Sequence, residues 1–487
     1  MRFAHVCAIS SLILCLGSVQ AHAIAQPLYY IVHDFASSAD GANPNGGLVL
    51  GPDGNYYGTT RNGGTAGSGT IYRVSSSTGS TSTIWTFADG SVPFDGGNPY
   101  GSLVVGADGA LYGTTISGGS LNYGAVFKIT TAGEFSVVHQ FQFADGAFPQ
   151  CGLISGRDGN LYGATTSGGS AGFGCVYRLT LGGSLTVLHS FSFGATPLDG
   201  YDPIGSVFEG SDGSLYGTTA SGGTAGLGVV FRLTKAGAYT ILHNFSDGSV
   251  PNDGGTARTS LVQGADGYYY GATVGGGVGG NGVVFKIGKS GRYAIVHNFD
   301  GEVKNDGKFP GELTVGSGGV LYGTTSHGGS ADEGTIFALS PNGAFDVLHN
   351  FHDGSTASDG ENPAGTLLNA AGRLIGTTFS GEHDGVVFSQ QAFFVSLTPP
   401  ANFIARPRSK SIGLTWSTSA GATGYNIYRS TTPGGEGLVP VAVATGTAHV
   451  DDTVQLGVTY YYKITATNEN SESAKSSETH TMPTKLP

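Results

Sequence analysis

Eight side chains near the end of a long repetitive segment have the types and spacing for acid–base or metal chemistry. His327, Asp332 and Glu333 share one glycine-rich stretch; Glu382, His383 and Asp384 occupy the matching stretch about one period later, and Asp359 and Glu361 lie between them. Carboxylates beside imidazoles can move protons at a substrate or hold a metal that activates water. Asp332, Glu333, Glu382, His383 and Asp384 are therefore the candidate catalytic residues, and His327, Asp359 and Glu361 the candidate binding residues, of a site at the rim where two repeats meet. No spacing among them is diagnostic, and a solvated polar rim is the plainer reading.

Other reactive types are spread out. Histidine recurs at His33, His139, His189, His243, His297 and His349, with Trp85 in the remaining copy, and phenylalanine always follows two residues later. One histidine per repeat on an outer strand cannot share an ion at Zn–N distances of about 2 Å. Packing between neighbouring sheets, with the imidazole hydrogen-bonded, is expected instead. Pairs such as Asp89/Asp95, Asp247/Asp253, Asp300/Asp306 and Asp353/Asp359 lie in the connections between repeats. They are either turn formers or calcium ligands, since calcium takes six to eight oxygens, although no EF-hand spacing occurs. Beyond calcium no cofactor is expected. Asp53, Asp108, Asp158, Asp212 and Asp266 each precede glycine, which suits a hairpin turn. No phosphate loop and no Gly-x-Ser-x-Gly elbow is found. Cys151 and Cys175 fall on non-neighbouring strands of one repeat, as a bridge that would need local bending or as two buried thiols.

The elements that would position these residues follow from a repeat. Tyr-Gly-Thr or its variant begins at Tyr57, Tyr112, Tyr162, Tyr216, Tyr270 and Tyr322, with a degenerate copy at Ile375, a period of about 50 residues. In the second copy four strands are expected, at 102–105, 110–115, 125–129 and 135–141, joined by Asp108-Gly109, a glycine-rich loop and a Thr-Ala-Gly turn. The fourth-strand signature appears before any first strand and is missing after the seventh third strand. Tyr29 to Phe35 is therefore expected to complete the last repeat, giving a seven-bladed β-propeller of four-stranded blades with no free edge. The alternative closing strand is Phe393 to Leu397. Glycine at 85 of 487 residues and charge at only 11% fit short strands and tight turns. A net charge of −12 argues against nucleic acid.

Residues 1–23 read as a signal peptide, with Arg2, an apolar run and Ala21-His22-Ala23, so a secreted mature protein without a membrane span is expected. Leu-Tyr-Gly-Thr-Thr, Ser-Gly-Gly, Val-Phe and Leu-His-x-Phe at this period resemble the GloVer-type (Gloeo/Verruco) tandem repeat of bacterial secreted proteins. The resemblance covers about residues 27 to 390 and implies a propeller-like extracellular protein and no particular reaction. The chain departs from that family at its end, where no sorting signal or hydrophobic anchor is visible. The repeat array is assigned to 27–392, a linker to 393–399, and 400–485 resembles a fibronectin type III β-sandwich. There Trp416 stands as the core tryptophan and Tyr460 at the tyrosine corner.

Three functions fit these features. The first is an extracellular binding or scaffolding protein whose loop face recognises a polysaccharide or a cell-surface protein. The second is a secreted carbohydrate-active hydrolase or lyase using the rim of blades six and seven, and the third a calcium-stabilised envelope scaffold. Near-identical loops without large insertions, and the lack of a catalytic motif, favour the first, as a monomer.

Overall fold

The computed structural model describes residues 29–36, 39–193, 199–300, 305–340, 343–392, 399–419, 422, 424–437, 440–467, 473 and 475–483. The signal-peptide segment, the start of the array at 27–28, and 393–398 with the alternative closing strand lie outside them. The described residues are all-β, with one 3-10 turn at Ser317–Gly319, and none of their helices is long and apolar enough to cross a membrane.

Seven antiparallel sheets repeat one strand order. In the second, Val104–Val105 pairs with Leu111–Ser117, which pairs with Ala125–Ile129, which pairs with Phe135–Gln140. Leu111 to Thr115 are buried without a break, and so are four of the five residues of Ala125–Ile129. Side chains pointing to both faces of the sheet are therefore covered, and each sheet needs a neighbour on either side. Close packing explains the glycine of the repeat signature: a Cβ on Gly113 would collide with the Phe127 ring and reach within 2.7 Å of Leu103.

The last sheet joins the two ends of the array. Tyr29–Asp34 pairs with Val386–Gln391, placing Ile31 opposite Phe388 and His33 opposite Val387, and that strand continues through Arg373–Ser380 to Glu361–Ala370. Successive sheets are also tied by one recurring bond. The N–H groups of Asn43, Asn98, Phe148, Asp202, Thr256, Phe309 and Asn362 donate to the carbonyls of Asp384, Ser68, Tyr123, Phe173, Leu227, Asn281 and Glu333, at 2.7–3.4 Å. The bond from Asn43 to Asp384 runs between the first repeat and the last.

A second tie uses the histidines. In every sheet the register of the outer strand shifts just before His or Trp, a bulge that re-aims the side chain. Its ring then meets an aspartate of the following connection. Nε2 of His33, His139, His189, His243, His297 and His349 lies 2.7–3.2 Å from Asp40, Asp145, Asp199, Asp253, Asp306 and Asp359. Trp85 donates to Asp95 at 3.3 Å. Each ring also packs edge-on against its own phenylalanine in the histidine copies. Several stack flat on the next sheet as well, as His243 does on Tyr293 at 4.0 Å, His349 on Tyr29 at 3.9 Å and Trp85 on Phe135 at 4.1 Å.

Further along the chain, a three-stranded sheet of Ile404–Arg408, Ser411–Thr415 and Ala448–Asp451 and a four-stranded sheet of Ala442–Ala444, Gly424–Ser430, Tyr460–Thr467 and Thr479–Thr481 enclose one core. Trp416, Tyr425, Tyr462 and Ile464 fill it, and the Tyr460 hydroxyl accepts the Gln455 N–H at 3.0 Å.

Burial should decide the strength of each His–Asp tie. Asp253→Ala strips the partner from the buried His243 and from the Ser246 N–H, and is expected to cost about 2 to 3 kcal/mol in urea unfolding. Asp40→Ala, whose pair with His33 is part-exposed, should cost under about 1 kcal/mol. Equal losses would rule out burial as the cause.

Candidate functional site

The rim residues singled out by sequence lie on consecutive repeats, but each has a different neighbour. Asp332 accepts the Gly328 N–H at 2.9 Å and pairs with Lys308 at 3.2 Å. Glu333 offers its carbonyl to Asn362. Glu382 accepts from the Ser358 hydroxyl, and His383 Nδ1 lies 2.8 Å from Asp34. Asp384 is held through its backbone by Phe35 and Asn43. His327 meets the Ser326 hydroxyl at 3.1 Å and packs edge-on against Phe309. Asp359 is buried on His349, and Glu361 pairs with His352 at 3.2 Å. Among the described residues, no hydrogen bond or ion pair joins any two of the five candidate catalytic side chains.

The connection carboxylates are similarly engaged. Asp89, Asp247 and Asp353 accept the N–H of Ser91, Ser249 and Ser355 at 2.8 Å, and their companions Asp95, Asp253 and Asp359 take the Trp or His rings. Among the described residues no three His, Cys, Asp or Glu side chains group to hold a metal. The hairpin aspartates do more than turn the chain, since Asp53, Asp108, Asp158, Asp212 and Asp266 accept the hydroxyls of Tyr57, Tyr112, Tyr162, Tyr216 and Tyr270 at 2.6–2.9 Å. Cys151 and Cys175 are free and buried. Burial pushes their thiols up to about 12 and about 11, so neither is a nucleophile at neutral pH.

The place where all the repeats contribute is a depression of about 450 Å³. Asn45, Tyr100, Gln150, Ile204, Arg258, Pro310 and Gly365 line it, one from each successive repeat. Asn45, Tyr100, Gln150, Ile204 and Arg258 directly follow the Pro or Ala of their repeats, and Pro310 and Gly365 lie within one place of that position, so the repeat itself converges them. Arg258, Gln150 and Asn45 offer hydrogen-bond donors, Tyr100 and Phe309 offer rings, and the apolar remainder gives the mixed lining common to small-molecule and sugar sites.

One carboxyl breaks the symmetry of this lining. Glu312 stands where other repeats carry Gly47, Ser102, Gly152, Ser206, Ser260 and Thr366. Its two oxygens accept the Ser260 N–H at 3.0 and 2.9 Å, and Oε1 the Ser260 hydroxyl at 3.1 Å. The Ser102 hydroxyl makes the equivalent contact to the Gly47 N–H at 2.8 Å. Burial pushes the Glu312 carboxyl up to about 7. A lone carboxyl lacks the paired acid of glycosidic hydrolysis, and the site is equipped to hold a polar ligand. Sequence reading missed it, although aligning the seven copies exposes the odd residue.

Because the folded protein holds this proton more tightly than the unfolded chain, the contribution of Glu312 to stability is fully present below about pH 4.5 and is lost as pH rises through about 7. Glu312→Gln should match the parent protein in thermal unfolding at pH 4 and exceed it at pH 8 by about 1 to 3 kcal/mol. An advantage independent of pH would show that ionisation is not its source.

Comparison with known proteins adds a family. The model of the Gloeobacter/Verrucomicrobia repeat matches residues 17–201 and 104–326. Amylopullulanase of Thermoanaerobacterium saccharolyticum is 41% identical over 85 residues, 17% of this chain and 7% of that protein. The amylopullulanase of Thermoanaerobacterium thermosulfurigenes is 39% identical over 70 residues, 14% of this chain and 4% of its own. The chain thus spans a small fraction of the curated relatives it matches. A Fn3-like protein from Clostridium thermocellum shares 31% identity over 19% of this chain and 98% of its own, with a TM-score of 0.17. TolB from Acinetobacter baumannii shares 14% over 57% of this chain and 58% of its own, with a TM-score of 0.36. Since the two repeat matches together run from residue 17 to residue 326, over half of the sequence, the chain belongs to the Gloeobacter/Verrucomicrobia repeat family.

Proposed function

We propose that this is an extracellular, non-catalytic binding protein in which a seven-bladed β-propeller, at residues 27–392, presents the central depression to a polysaccharide. Residues 1–23 act as its signal peptide, and a fibronectin type III domain at 400–485 serves as spacer. The propeller reading is supported by the seven equivalent inter-sheet bonds and by the sheet shared between Tyr29–Asp34 and Val386–Gln391. The segments shared with amylopullulanases support a carbohydrate-associated role.

The observation that carries the binding reading is Phe309. It borders the depression, is 38% exposed and has φ of 58°. A bulky residue in the left-handed region is strained, and here the strain is not repaid by burial in a core. An exposed ring held at such a position suits contact with a ligand. The separate partners of the rim carboxylates weigh against a hydrolase or lyase there.

The test is an array of bacterial and plant polysaccharides probed with the chain from residue 24 onward, with product release assayed on every hit. Retention without release is expected, unaffected by Glu382→Ala/Asp384→Ala and weakened about tenfold by Phe309→Ala/Arg258→Ala, the equivalent of about 1.4 kcal/mol. Sugar release that disappears in the Glu382/Asp384 variant would make the rim an active site. No retention at all would remove polysaccharide as the ligand.

A further inference from the structure

Phe309 is not alone in its strain. The residue before the first strand's Pro or Ala is left-handed in every repeat, at Asn43, Asn98, Phe148, Asp202, Thr256, Phe309 and Asn362, with φ of 51–60°. Asparagine and aspartate tolerate that region, whereas phenylalanine does not. Phe148 therefore occupies a site for which asparagine is the fitting residue, and Phe143, five residues earlier, has φ of 63° and is 41% exposed. Two strained rings within six residues, neither in the core, call for an explanation outside the fold.

They belong to a row of aromatic side chains. Tyr123 lies 5.4 Å from Phe143 and 5.9 Å from Phe148 between ring centres. One repeat further on, Phe173, Phe193 and Tyr201 are mutually 5.6–5.8 Å apart, with Phe193 70% and Phe173 38% exposed. The groups abut, because the Phe143 ring lies 3.9 Å from where a Cβ on Gly172 would stand, next to Phe173. The row also leads to the depression, since Gln150 and Ile204 of its lining follow Phe148 and Tyr201 by two and three residues.

The same positions carry charge across the ring of repeats. Where these repeats have Tyr123 and Phe173, the sixth and seventh have Glu333 and Asp384, and Tyr201 is matched by Glu361 in the seventh. Asp332, Glu382 and Asp34 lie among them. An acidic chain would be repelled from this side, on a protein with a net charge of −12. Flat rings edged by tyrosine hydroxyls, which have no hydrogen-bond partner among the described residues, suit the apolar C–H face and equatorial hydroxyls of a pyranose. A protein partner would need about 800 Å² of continuous complementary surface, which a narrow row does not offer.

We propose that this aromatic row is an extended subsite for an uncharged polysaccharide, whose successive sugar rings stack on the two groups before entering the depression. The proposal rests on the polysaccharide-binding reading and names the chemical class of the chain.

Affinity electrophoresis of the chain from residue 24 onward through gels holding neutral glucan, glucomannan or xylan, or acidic polygalacturonate, tests it. Retardation is expected in at least one neutral gel and not in the acidic one, unchanged between 0.1 and 1 M salt. Phe173→Ala/Phe193→Ala should weaken it at least about tenfold with an unchanged melting temperature. Phe148→Asn, which installs the residue of other repeats, should weaken it while raising the melting temperature, a combination that a purely structural role would not produce. Retardation by a neutral chain that survives both variants overturns the aromatic subsite and leaves the central depression standing. Retardation by the acidic chain alone, lost in salt, overturns the neutral class. No retardation in any gel removes the subsite and the polysaccharide reading together.

Discussion

A four-stranded sheet whose middle strands bury both faces has no stable existence alone. Leu111 to Thr115 and their counterparts place tyrosine, threonine and leucine alternately to either side, so every sheet offers two apolar surfaces and needs two neighbours. That requirement governs the rest of the array. It fixes the glycine of the signature by close approach, it makes the inter-sheet contacts as constant as the sheets themselves, and it leaves variation only to side chains at the loops and at the centre.

The constancy is carried by polar groups as much as by apolar ones. In six of the seven copies the connection aspartate is hydrogen-bonded to a ring nitrogen and also accepts a backbone N–H just past the phenylalanine, as Asp253 does with His243 and Ser246. A buried carboxylate is tolerable only when its oxygens are satisfied. The aspartate thus fixes the end of one sheet at the entrance to the next, and in five copies the ring beside it is the flat surface on which an aromatic ring of the next sheet stacks. Framework and loop face are separable for this reason: the ring–aspartate ties start from the outer strands, while the side chains of Glu312 and Phe309 border the depression and that of Phe148 packs against Tyr123.

Much of this was legible in the chain. The period, the strand positions within a copy and the pairing of Tyr29–Asp34 with the last third strand all follow from spacing, because a repeat prints its geometry seven times. The His–Asp ties were only half legible. The imidazole was expected to be satisfied, but its partner lies six residues away at Asp145, nine at Asp306 and ten at Asp253, so no fixed spacing marks it. The rim carboxylates were legible as types and positions, but not by their partners. A repeat alignment places them on neighbouring loops without saying which lysine, serine or aspartate each will meet, as Asp332 meets Lys308, Glu382 meets Ser358 and His383 meets Asp34. Glu312 and the left-handed phenylalanines were readable only by asking which copy departs from the others, a comparison that matters more than the signature itself.

The strand shared between the chain ends also bears on how the molecule forms and how it comes apart. Tyr29–Asp34 is made first and must wait for Val386–Gln391, and the Tyr29 hydroxyl finally closes on the Asp359 carbonyl across 330 residues of sequence. Contacts of such long range form late, and until then the waiting strand is an unpaired edge open to association with other chains. Afterwards the relation reverses. Neither end of the array can fray without stripping a strand from the same four-stranded sheet, so the slowest contact to form becomes the latch that keeps unfolding from starting at the ends.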